Sequence, residues 1–111
     1  MGYRVFYCCD STGDKVEASA AIAMDRDTIV STAMQVLRNE GDFFGVIDDS
    51  AVTLQFMVEA GNKLWMEIPV PKKGGSRGKH IGIDDVESIL LSLPESITPS
   101  AFPDMRFESW T

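Results

Sequence analysis

The 111-residue chain has little of what catalytic and metal sites are built from: one histidine, His80, and two cysteines, Cys8 and Cys9, which are neighbours. Adjacent side chains on a strand point to opposite faces, so the two thiols cannot jointly hold a metal or grip one partner. Both are expected as free thiols buried in the fold. Acidic residues occur in ones and twos, and no spacing assembles them with His80 into a ligand set, so neither a metal nor a cofactor is assigned. A lone histidine without a neighbouring carboxylate motif gives no basis for general-base or nucleophilic chemistry, and no catalytic residue is assigned either.

Long apolar runs are also missing. None approaches the roughly 18 residues of a membrane span, and the start "MGYRVFYCCD" lacks the charged-then-apolar order of a signal peptide. The expectation is a cytoplasmic protein without membrane contact. Basic residues are scarce, 10 against 17 acidic, for a net charge of −7. Four of the ten lie between Lys72 and Lys79, leaving 6 against 17, or −11, for the rest of the chain. An acidic body repels nucleic acid and anionic membranes, whose recognition depends on Lys and Arg displacing counterions, and it suits a basic protein partner.

What is present is an ordinary globular composition, 44% hydrophobic and 24% charged, in a length suited to one domain. The spacing predicts an α+β fold of two helices packed on a mostly antiparallel sheet of about five to six strands, in the order β-β-α-β-β-β-α-β, as a single domain over residues 1–111. "GYRVFYCC" and the alternating "KVEASAAIAM" read as the first two strands, joined through "DSTGDK". "DRDTIVSTAMQVLRNEG" reads as a helix capped by Asp25 or Asp27 and stopped at Gly41, with Ile29, Ala33, Val36 and Leu37 facing a sheet. "DFFGVIDDS" is a short strand ending in an Asp48-Asp49-Ser50 turn. "GIDDVESILLSLP" is the second helix, with Asp84 and Glu87 at capping-box spacing. "TPSAFPD" is a loop and "MRFESWT" a last strand.

The sharpest local pattern is "AVTLQFMVEAGNKLWMEIPV". Val52, Leu54, Phe56 and Val58 alternate with Thr53, Gln55, Met57 and Glu59, and Leu64, Met66, Ile68 and Val70 with Lys63, Trp65, Glu67 and Pro69. Keeping apolar opposite apolar fixes the register, because a slip of one residue would invert a whole strand. Val58 then pairs with Leu64, Phe56 with Met66, Leu54 with Ile68 and Glu59 with Lys63, around the loop Ala60-Gly61-Asn62. Met57 falls opposite Trp65 on the outward face, with Gln55 and Glu67 beside them. Unless the second helix or the C-terminal segment with Trp110 covers it, that face is an interface candidate, and a homodimer is one way to bury it.

The basic stretch "PVPKKGGSRGKHIG" invites comparison with the phosphate loop G-x-x-x-x-G-K-[ST]. Counted back from Gly78-Lys79, the first position is Lys73 instead of glycine. His80 stands where a magnesium-binding hydroxyl is needed, and the acidic start of the following helix opposes an anion. The favoured reading of residues 71–80 is therefore a flexible, solvated, Gly-rich connection. Two others stay open: a weaker anion site made by Lys72, Lys73, Arg77, Lys79 and His80 around the glycines, and a protein contact.

Antiparallel sheet with two helices in about a hundred residues, an acidic balance, no catalytic set and a final "MRFESW" together resemble the small acidic immunity proteins found beside secreted bacterial toxins. That resemblance implies a non-enzymatic, stoichiometric inhibitor covering a basic toxin site, and it assigns no particular binding residues. The leading expectation is thus a protein-binding module for a basic partner. The alternative is a small-molecule or phosphate-ligand domain using residues 72–80.

Overall fold

In the computed structural model, which describes residues 2–10, 12–98, 101–102 and 104–110, the alternation read in residues 52–70 becomes the central hairpin. Strand β5 (Thr53–Val58) runs antiparallel to β6 (Lys63–Val70), with Val58 opposite Leu64, Phe56 opposite Met66 and Met57 opposite Trp65. The turn Ala60–Asn62 closes it, with Gly61 at φ 76°, a left-handed conformation that costs glycine no side-chain clash. The backbone N–H of Glu59 donates to the Lys63 carbonyl at 2.7 Å, which locks the predicted register.

Around this hairpin stand β1 (Tyr3–Cys9), β2 (Asp14–Val16), β3 (Ile22–Met24), β4 (Phe43–Ile47), β7 (Gly75–Gly82) and β8 (Arg106–Ser109), with helices α1 (Arg26–Val36) and α2 (Ile83–Leu91). All strands pair antiparallel, in the order β2-β1-β4-β5-β6-β7-β8, with β3 also on β1. The class is α+β with two helices on an antiparallel sheet, as predicted. The eight strands among the described residues exceed the expected five to six.

Two segments account for the difference. The predicted second strand is broken by a 3-10 turn at Ala18–Ala20, so that β2 pairs the Cys9 end and β3 the Tyr3 end of the same edge of β1. The alanines there bury no side chain that could hold the strand in one register. The predicted connection over 71–80 is instead a 3-10 turn at Pro71–Lys73, a left-handed Gly74 and the eight-residue strand β7. Glycine weakens a strand interior in general. Here close neighbours require it: a Cβ on Gly75 would lie 2.2 Å from the Glu108 carbonyl oxygen and 2.7 Å from Phe107 Cζ, and one on Gly78 2.4 Å from Trp65 Cζ2. Of the C-terminal loop expected in "TPSAFPD", Pro99, Ser100 and Pro103 lie outside the described residues.

Both helices lie on one face. Ile29, Ala33, Val36 and Leu37 near α1, and Val86, Leu90 and Leu93 near α2, share a core with Val5, Cys9, Phe44, Val46, Leu54, Phe56, Val58, Leu64, Met66 and Ile68. The side chain of Asp25 caps α1 by accepting the Thr28 N–H at 2.8 Å, and hydrogen bonding from the Thr28 side chain, then from this N–H, holds its carboxyl below the ordinary carboxylate range. Gly41 is left-handed as expected, but α1 itself stops at Val36 and Gly41 lies in the turn that follows. The cap of α2 differs too: the helix starts at Ile83, its capping box lies two residues before the predicted one, and Asp85 Oδ2 accepts the Gly82 N–H at 2.9 Å. Arg26 joins the helix ends, its guanidinium donating to the Leu91 and Leu93 carbonyls at 2.8 Å each, where the orphan acceptors of α2 lie.

Two buried aspartates serve the scaffold. Asp42 accepts backbone N–H bonds from Asp10 (2.9 Å), Arg38 (3.2 Å) and Asn39 (2.8 Å), which ties the β1–β2 turn to the chain leaving α1. Asp48 accepts from Ser50 and Val52 at 2.9 Å each and from Ile97 at 2.8 Å, so the predicted turn residue also anchors the C-terminal segment. Each of these carboxylates holds three amide donors and is almost completely buried, so both are committed to structure and out of reach of a ligand.

Candidate functional site on the uncovered sheet face

Because strand side chains alternate, the residues between the core positions form a second face, and neither helix lies on it. Pairing across five ladders aligns two rows there. One runs Phe6, Gly45, Gln55, Glu67, Gly78, Arg106; the other runs Cys8, Phe43, Met57, Trp65, His80. Trp110 is 56% exposed on the chain leaving the edge strand β8, with its N–H on the Gly74 carbonyl, so the C-terminal tryptophan does not cover Trp65.

The two glycines of the first row shape the surface. A Cβ on Gly45 would stand 2.1 Å from Phe6 Cζ, so the Phe6 ring lies across β4, and Trp65 lies in the same way across Gly78 on β7. Between these flattened rings is a hollow of about 310 Å³ lined by Phe6, Phe43, Gln55, Met57, Trp65 and Glu67. Phe6 and Phe43 pack tilted, with centroids 6.2 Å apart, and Met57 is 45% exposed at the rim. All four residues expected at an interface, Trp65, Met57, Gln55 and Glu67, are therefore brought together. Phe6 and Phe43 were missed, although alternation in "RVFYCC" and "FFGVI" already set each on the parity opposite to its core neighbours.

Glu67 organises the floor. Its Oε1 accepts the Trp65 indole N–H at 2.7 Å and the Ser76 hydroxyl at 3.2 Å, while Oε2 accepts the Gln55 side-chain amide at 2.5 Å. A carboxylate offers about four acceptor sites, so three are used and one remains on Oε2. Trp65 is thereby fixed by a charge-assisted bond and not by packing alone.

The five residues proposed for an anion site are divided. Lys72 and Lys73 sit exposed on the 3-10 turn. Arg77 and Lys79 fall on the helix-side parity of β7, and His80 on the open one. Alternation thus turns the stretch's cations to different sides of the sheet. His80 does have a carboxylate neighbour that its sequence context did not reveal: its Nε2 stands 2.7 Å from Glu59 Oε1, and its ring meets Trp65 edge-on at 5.0 Å. A second hollow, about 300 Å³, lies there between Trp65, His80, Asp104, Arg106 and Glu108, and carries charge of both signs.

Cys8 shares the open face but stands on β1, separated from β7 by β4, β5 and β6. At about 4.8 Å per strand, it is roughly 19 Å from His80, too far for a thiol–imidazole pair. Its thiol is pushed up by desolvation and by Asp10, whose carboxylate accepts the S–H at 3.7 Å, so thiolate character is suppressed. Cys9 is buried on the opposite face. Among the described residues no group of three or more His, Cys, Asp or Glu side chains is placed to hold a metal ion, and no helix is long and apolar enough to cross a membrane. No family model, curated protein or solved structure matches the chain.

Proposed function

We propose that the protein is a non-enzymatic binding module that docks a basic partner protein on its uncovered sheet face, in the manner of a stoichiometric, immunity-like inhibitor. The observation that carries this reading is the hollow between Phe6 and Trp65: an apolar, aromatic-walled depression on an otherwise acidic protein, with its central tryptophan fixed in place before any partner arrives. Preformed aromatic anchors lower the ordering cost of association, and a net charge of −7 steers a basic surface toward it. A cytoplasmic location fits such a role.

The experiment is affinity capture from cells of the source organism, followed by titration of the captured partner against variants. Trp65→Ala is expected to weaken association by more than about 1 kcal/mol. Simultaneous neutralisation of Lys72, Lys73, Arg77 and Lys79 is expected to leave it nearly unchanged. The opposite pattern, with phosphate compounds bound through those four cations and indifferent to Trp65→Ala, would replace this reading by that of a ligand-binding domain.

A further inference from the structure

The geometry points to a narrower assignment, which rests on the reading of this face as a docking surface: the hollow between Phe6 and Trp65 is a receptor for one cationic side chain, an arginine or lysine projecting from the partner protein.

The donors and acceptors of the floor set what it can receive. Glu67 draws in the Trp65 indole N–H, the Ser76 hydroxyl and one N–H of the Gln55 amide. Beside a carboxylate, which can only accept, Gln55 must present its nitrogen, and this turns its carbonyl oxygen away from Glu67. What the floor keeps for a visitor is therefore mostly acceptor: the remaining lone pair on Glu67 Oε2 and the Gln55 oxygen. Of the donors that point at Glu67, only the second Gln55 N–H is left over. An anionic or acceptor-rich visitor would meet a carboxylate with almost nothing to donate to it.

Charge and shape select in the same direction. No basic residue lines the hollow. The bases of this face stand outside it: Arg4 and Lys63, each two residues along the strand from Phe6 and Trp65, are exposed, and Arg106 is two strands beyond Glu67, about 10 Å away, in the second hollow past Trp65. The walls are aromatic faces and a methionine, surfaces that attract a cation through the ring quadrupole and accept an alkyl stem through ordinary apolar burial. About 310 Å³ is at the lower limit of ligand pockets, which run from about 300 to 1,000 Å³, and so suits one long side chain better than a nucleotide-sized cofactor. Lysine and arginine have this amphipathic form, an apolar stem ending in a charged donor.

The test uses the isotope-labelled full chain and short blocked peptides of the form Gly-X-Gly, with X arginine, lysine, citrulline or glutamate. The Trp65 indole N–H resonance is the readout, because that proton is bonded to Glu67. The arginine and lysine peptides are expected to shift it saturably, and citrulline, the neutral isostere of arginine, to bind at least about tenfold more weakly. Glutamate should leave it unmoved. Glu67→Gln should remove most of the preference for arginine over citrulline. Met57→Lys, which leaves the Glu67 bonds alone and brings a cation of the chain's own to the rim, should block the arginine peptide in a protein of unchanged fold.

Equal binding of citrulline and arginine, or arginine-induced shifts that spare the Trp65 indole, would overturn the assignment. Failure of the wider reading looks different. If Trp65→Ala still abolishes partner association while the arginine peptide is silent, the cation assignment falls and the docking face stands. If Trp65→Ala leaves association intact, both fall.

Discussion

The two faces of this sheet are written in alternate residues of the same strands, and they solve different problems. On the helix-covered face Phe44, Leu54, Phe56, Leu64 and Met66 are almost completely buried, and the apolar surface is closed off. On the open face Phe6 and Trp65 lie flat across glycines, and a carboxylate is retained between them. One face gains its stability from volume filled, the other its shape from volume withheld at Gly45 and Gly78. Close packing and surface shape are thereby separated by a single residue step along the chain.

That separation can be broken most strongly at neighbouring positions of β5. Phe56→Ala removes a fully buried ring and is expected to cost about 3–5 kcal/mol in chemical denaturation. Met57→Ala, one residue on, should change stability by no more than about 0.5 kcal/mol. Comparable losses at both sites would mean that the faces are not energetically distinct. An intermediate effect is expected from Gly78→Ala, whose Cβ would stand 2.4 Å from Trp65 Cζ2 and 2.7 Å from the Met66 carbonyl. Moving the ring should cost about 1–3 kcal/mol and displace the Trp65 indole N–H resonance. An unmoved resonance would show that the glycine does not set the ring's position.

The smallest effect isolates the helix layer. Asp25 is held below its ordinary range by hydrogen bonds from the Thr28 side chain and N–H, so its contribution is complete above the unfolded carboxylate value of about 3.9 and is lost as pH falls through the lower folded value. Asp25→Ala should thus lower the melting temperature at pH 7, with the gap to the parent chain closing in strong acid. A gap that is independent of pH would assign the loss to something other than the cap.

How much of this was legible depended on whether the constraint was local. The β5–β6 register could be read because two runs of eight residues, 52–59 and 63–70, alternate on either side of one three-residue turn, and the Met57–Trp65 pair followed from it. Strand β7 could not. Gly75 and Gly78 resemble loop residues until Phe107 and Trp65 are placed over them, and those rings come from other strands. The broken edge strand was hidden for the converse reason, since alternation across Ala18 and Ala20 carried no bulk to enforce it. Asp42 gave no signal because its donors come from Asp10, Arg38 and Asn39, and the Glu67 network draws on residues 55, 65 and 76. The polar residues of the hollow were visible from the sequence. Its aromatic wall on β1 and β4 needed the strand order.

The turn at Ala18–Ala20 has one more effect, on how copies of the chain meet at high concentration. It divides one rim of the sheet into two strands of three residues each, while the opposite rim, β8, has four residues with Arg106 and Glu108 among them. Neither rim offers a long, flat, apolar template on which a neighbour could add a strand, which is how proteins with open sheets avoid fibrillar growth. Self-association by β-extension is disfavoured at both ends of the sheet.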